Sequence, residues 1–129
     1  MSDRPPAILV VDDDPDILDA LRFLFEGEGY LVKTCEKGDY AESLRGENGD
    51  LPDLIVLDVL LSGKDGRAIC QKLKSQNETR HIPIVMISAH PDAEHSSKAV
   101  GADAFVAKPF AIDAVLAAVG ALLSARPTQ

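Results

Sequence analysis

The sequence predicts a doubly wound α/β domain, and three observations carry that reading. Short runs of strongly apolar residues recur five times along the chain. The segments between them space their apolar residues at helical intervals. Glycine or proline stands at most junctions, for example Gly27, Gly29, Gly63, Gly66, Pro83, Gly101 and Pro109. Strand and helix alternating in this way build a parallel sheet covered by helices on both faces, because each crossover is right-handed.

The runs lie at residues 7–11, 30–34, 54–57, 84–87 and 104–106. Each is rich in valine, isoleucine, leucine or an aromatic residue, as in strands buried on both faces. Among the helical segments, Ile17, Leu21, Leu24 and Phe25 share one face, and Ile69 and Leu73 share another. In the last segment Ile112, Val115, Leu116, Val119 and Leu122 are expected to face the sheet. Ala114, Ala117, Ala118 and Ala121 leave its other side small and barely polar, where a surface helix normally carries charge.

With 129 residues the chain fits one domain, expected over 1–129 with its core in 7–124 and a frayed tail at 126–129. The net charge of −8 disfavours direct, sequence-independent binding to nucleic acid, which needs lysine and arginine to neutralise phosphates. Cys35 and Cys70 form no CxxC pair, and the histidines complete no zinc pattern, so both cysteines read as small buried thiols. No apolar run approaches the ~20 residues of a membrane span, and the N-terminus lacks a signal-peptide core. The expected location is the cytoplasm, away from membranes.

The stretch VVDDDPDI at residues 10–17 gathers acids at the end of the first strand. Asp14 suits the N-cap of a helix that opens with Pro15, and Asp16 suits the positive end of its dipole. Asp12 and Asp13 have no such structural role. They stand where open α/β sheets bind ligands, and a bound cation would relieve their repulsion. Asp58 ends the third strand, Ser88 the fourth, and Lys108 follows the fifth. Three acids, a hydroxyl and an ammonium therefore meet at one sheet edge. Oxygen donors of this kind suit Mg²⁺, and the whole set suits phosphoryl transfer, which needs mainly positioning and charge neutralisation.

With these motifs in view (VVDD at 10–13, DLIVLD at 53–58, Ser88, Phe105 and Lys108-Pro109), the chain resembles the receiver domain of bacterial two-component response regulators, of the stand-alone chemotaxis kind. The resemblance spans residues 7–124 and implies a five-stranded parallel sheet of flavodoxin-like order 2-1-3-4-5. It implies that Asp58 is the phosphoacceptor, with Asp12, Asp13, Asp58 and the backbone carbonyl of Leu60 on Mg²⁺. Ser88 and Lys108 would contact the phosphoryl oxygens, and Phe105 would rotate with Ser88. The Lys108–Pro109 bond would be cis. Leu60 and His90 hold the positions that tune how long the phosphoryl group lasts. One departure stands out: Ser62 replaces the proline usual in the loop Leu61-Ser62-Gly63-Lys64-Asp65-Gly66, which bears on loop stiffness.

The function implied is Mg²⁺-dependent transfer of a phosphoryl group from a phosphohistidine donor, on a histidine kinase or histidine phosphotransferase, to Asp58. The modified form would then bind a downstream partner, or a second copy of itself, through the Ala114, Ala117, Ala118 and Ala121 face. Two alternatives share these residues. One is a Mg²⁺-dependent phosphohydrolase with an aspartyl nucleophile. The other is a module of the same fold that binds partners without phosphorylation.

Overall fold

The computed structural model describes residues 4–44 and 51–125, so the expected tail at 126–129 lies outside the described residues. The elements run β1 (Ala7–Val11), α1 (Pro15–Gly27), β2 (Leu31–Cys35), α2 (Gly38–Glu42), β3 (Leu54–Asp58), β4 (Leu60–Leu61), β5 (Lys64–Asp65), α3 (Gly66–Ser75), β6 (Ile84–Ser88), α4 (Ala93–Ala99), β7 (Ala104–Ala107) and α5 (Ile112–Ala125). The main sheet has order β2-β1-β3-β6-β7, all parallel. Among the described residues, the two-residue strands β4 and β5 form a separate antiparallel pair. Counted without them, the sheet strands follow the expected 2-1-3-4-5 order.

The apolar runs are continuous because both faces of the sheet are covered. Successive side chains of a strand point to opposite faces. Ile8, Val10, Leu54, Val56, Val85 and Ile87 pack with Leu18, Leu21 and Phe25 of α1 and Val115 and Val119 of α5. Leu9, Val11, Ile55, Leu57, Ile84 and Met86 pack on the other face with Ala41 of α2 and Ile69, Cys70 and Leu73 of α3. Among the described residues, no helix is long and apolar enough to cross a membrane.

The turn at the top of β1 forms as its residues dictate. Asp14 caps α1, its side chain accepting from the Asp16 amide at 2.9 Å, with Pro15 in the first turn. Asp65 caps α3 in the same manner, accepting from the Arg67 amide at 2.8 Å.

Four expectations need correction. The second strand begins one residue later than read, since the Tyr30 amide donates to Phe25 O and closes the end of α1 instead of joining the ladder. Ile112 is 53% exposed and does not face the sheet. As the first residue of α5 it stands at the carboxyl edge, beyond the point where β7 stops, so no strand lies beneath it. Cys70 is buried, but Cys35, at the end of edge strand β2, is only half-buried. The segment before α3, read as a loop, closes a small hairpin in which Leu60 pairs with Asp65 and Leu61 with Lys64.

Candidate functional site

Strand register assembles the site before any side chain is considered. Val11 is level with Leu57, so Asp12 follows beside Asp58. Asp58 is level with Ile87 and Ser88 with Ala107, so Ser88 and Lys108 each stand one rung further along the same edge. The Lys108 amide donates to Ser88 O at 2.8 Å, which ties the two together through the main chain.

Asp12 is fully buried. Its Oδ1 accepts from the Asp14 amide at 2.9 Å and its Oδ2 from Lys108 Nζ at 2.9 Å. Asp58 is also buried, accepting at Oδ2 from Lys108 Nζ at 3.3 Å and at Oδ1 from the Leu60 amide at 3.3 Å. One ammonium thus spans two buried carboxylates. Burial, and then the charge of Asp12, push the Asp58 carboxyl up to about 6, against the opposing pull of Lys108. Burial works against the charged form of Lys108, but its bonds and attraction to Asp12 and Asp58 win and raise its pKa.

Asp13 is exposed, and its Oδ2 accepts from Ser62 Oγ at 2.9 Å. Asp12, Asp13 and Asp58 each bring a carboxylate oxygen within 4.8 Å of the others. Three oxygen donors and one lysine leave excess negative charge, and the donor set is of the hard kind that small divalent cations prefer. A dication fits the residues present.

On the other side of Asp58, Val59, Leu60, Arg67, Ser88, His90, Asp92 and Ala93 line a cavity of about 190 Å³. Water occupies roughly 30 Å³ in the liquid, so this space holds a tetrahedral oxyanion or a few waters. Ser88 is buried, and its Oγ accepts from the His90 amide at 3.0 Å. Leu60 is half exposed at the mouth. Phe105 is level with Met86 and packs, half-buried, against the core on the α3 side. The Lys108–Pro109 peptide bond is cis.

The structure therefore gathers Asp12, Asp13, Asp58, Ser88 and Lys108 at one edge, with Leu60 and His90 at the adjoining cavity. Phe105 and Pro109 flank this group. Sequence reasoning missed two participants. Ser62 registered only as a missing proline, although its hydroxyl holds Asp13. Arg67 was not noticed. It pairs twice with Asp65, at 2.9 and 2.7 Å, and donates to Ser96 Oγ at 3.0 Å, linking the start of α3 to α4. A lysine or arginine just after a helix cap is too common to have signalled this.

The family model described as the response regulator receiver domain matches residues 8–120. The chain belongs to that family. Among curated relatives, this receiver is 38% identical over 120 residues to the phosphate regulon transcriptional regulatory protein PhoB of Rhizobium meliloti (strain 1021), a match covering 92% of this chain and 52% of that protein. The receiver spans about half the length of the curated relatives it matches. Among solved structures, a protein assigned as a response regulator from Chloroflexus aurantiacus J-10-fl superposes with TM-score 0.84 at 31% identity, over 93% of this chain and 98% of that one. The response regulator TrrA of Thermotoga maritima, solved in complex with Mg²⁺-BeF, superposes with TM-score 0.79 at 28% identity, over 91% and 98%. This receiver is accordingly a phosphoacceptor module of the two-component type.

Proposed function

We propose that Asp58 is the residue phosphorylated, by a histidine kinase or histidine phosphotransferase, and that Asp12, Asp13 and Asp58 hold Mg²⁺ while it happens. The observation that carries this is Lys108 Nζ lying 2.9 Å from Asp12 and 3.3 Å from Asp58 at the common strand edge. In the reaction an Asp58 carboxylate oxygen attacks the phosphorus of a phosphohistidine. The new P–O bond forms as the P–N bond breaks, and the electron pair returns to the donor imidazole. Mg²⁺, when bound, supplies charge neutralisation for the carboxylates and phosphoryl oxygens. Lys108 can leave Asp58 for a phosphoryl oxygen without losing Asp12, so its ammonium stays anchored through the transfer. The Ser88 hydroxyl, oriented by the His90 amide that donates to its Oγ, would donate its proton toward the new group. The Leu60 carbonyl completes the metal ligands in this reading, and Phe105 follows the movement of Ser88.

Ala114, Ala117 and Ala121 are exposed and Ala118 is half-buried on the outer side of α5, which supports a partner or self-association surface there. The deciding experiment is intact-mass measurement after incubation with Mg²⁺ and acetyl phosphate. Wild type should gain one phosphate, and Asp58→Asn should gain none. Equal yields would move the acceptor elsewhere.

A further inference from the structure

We infer that Ser62 is a positioning residue for the metal site: its hydroxyl holds the Asp13 carboxylate in the orientation that receives Mg²⁺. The inference rests on the reading that Asp12, Asp13 and Asp58 bind that ion. Of the three acids, Asp13 is the only one that is exposed. Asp12 is pinned at both oxygens and Asp58 at both oxygens, by Lys108 and by backbone amides. An exposed aspartate left to itself samples several rotamers, and binding must select one. Ser62 Oγ, donating to Oδ2 at 2.9 Å, makes that selection in advance, with a carboxylate oxygen of Asp13 held within 4.8 Å of those of Asp12 and Asp58.

The hydroxyl is itself held in place. Ser62 and Gly63 form the turn of the β4–β5 hairpin, and Gly63 takes φ +76°, the left-handed value such a turn assigns to glycine. On the first strand of the hairpin, the Leu60 amide donates to Asp58 Oδ1. On the second strand, Lys64 pairs with Glu42 at 2.8 Å and Asp65, opposite Leu60, caps α3. The hairpin therefore grips Asp58 at its base and Asp13 at its tip, and sets the spacing between an acid of β3 and an acid that follows β1. Proline, the usual residue at this place in the receiver resemblance, would stiffen the turn but offers no donor. This chain has a hydrogen bond where that residue provides rigidity alone. Groups that orient metal ligands typically change affinity by about 10–100-fold when removed.

The test is calorimetric titration of Mg²⁺ into wild type, Ser62→Ala, Ser62→Thr and Ser62→Pro, with melting temperatures of each recorded in EDTA. Ser62→Ala and Ser62→Pro should bind Mg²⁺ about tenfold more weakly. Ser62→Thr, which keeps the donor, should bind within about twofold of wild type. The metal-free melting temperatures of wild type, Ser62→Ala and Ser62→Thr should agree, separating an effect on the ion from one on the fold. Equal or tighter binding by Ser62→Ala overturns the inference, since the hydroxyl is then idle or a competitor. Wild-type affinity in Ser62→Pro assigns the effect to turn stiffness and also overturns it. A Ser62→Thr as weak as Ser62→Ala does the same. If wild type itself binds no Mg²⁺, the reading of the acidic group fails, and this inference with it.

Discussion

Gly66 turns its bare Cα toward the main-chain carbonyl of Asp58, and a Cβ built there overlaps that oxygen. The Gly66 amide also donates to Val59 O at 2.6 Å, so the start of α3 is pressed against the end of β3. Gly66→Ala must push β3 or the helix aside. Overpacking of this kind costs roughly 1–3 kcal/mol. The expected result is a lower urea midpoint with unchanged m-value, together with slower phosphorylation by acetyl phosphate. A variant as stable as wild type would show that the contact relaxes freely.

Lys108 is the counter-charge for a fully buried acid, Asp12, as well as for Asp58. Removing one partner of a buried pair leaves a bare charge and typically costs about 3 kcal/mol or more. Lys108→Met should therefore lower stability by about that amount in metal-free buffer. Adding Asp12→Asn should recover part of the loss, because the stranded charge is then gone. Strict additivity in the double-mutant cycle would contradict the pairing.

The raised Asp58 carboxyl gives the metal-free protein a pH-dependent stability. An unfolded aspartate titrates near ~3.9, whereas burial and the charge of Asp12 put folded Asp58 at about 6. Between these values the folded chain binds more protons at this site than the unfolded chain. Stability from this group is therefore full below about pH 4 and is lost as pH rises to 6, by something on the order of 2 kcal/mol. Urea unfolding in EDTA at pH 4.5 and 7.5 should show Asp58→Asn gaining on wild type by that amount at the higher pH. Added Mg²⁺ should narrow the gap at pH 7.5. A constant difference across pH would mean that Asp58 titrates alike in both states.

Under the proposed phosphorylation of Asp58, the lifetime of the phosphorylated form is set by water reaching phosphorus in line with the new bond. Leu60 and His90 both line the cavity next to Ser88. Leu60 is apolar, half exposed at the mouth, and offers that water no side-chain hydrogen bond. Leu60→Asn should speed loss of phosphate several-fold, with little change in His90→Ala. The check is the decay of phosphoprotein by intact mass. A marked slowing in His90→Ala alone would assign the water to His90.

The outer alanines of α5 can be tested by charge. Ala117→Glu and Ala121→Glu project from a helix held by Val115 and Val119 on its inner side, so the fold should survive. Association measured by sedimentation, with and without phosphorylation, should weaken in both variants. Unchanged association in both states places the surface elsewhere.

Much of this receiver was legible because its signals are local. Apolar runs of fixed length mark strands, and Asp14-Pro15 marks the start of α1, since capping depends on neighbours within one turn. In a parallel sheet the carboxyl ends of the strands share an edge, so placing Asp12, Asp58, Ser88 and Lys108 together needed only the alternation of strand and helix. Long-range geometry was not legible. Asp53 and Asp58 bracket the same strand, yet Asp53 accepts from the Ala7 amide at 2.7 Å and Asp58 faces the site. That Lys108 spans 96 residues to reach Asp12, that Ser62 reaches Asp13, and that Ile112 overshoots the sheet all follow from packing between distant segments. The chain alone determines which residues can cap, pair or bury. Only the folded molecule decides which pairs meet, because partners far apart in sequence are brought to hydrogen-bond distance by the register of the sheet and the reach of the hairpin.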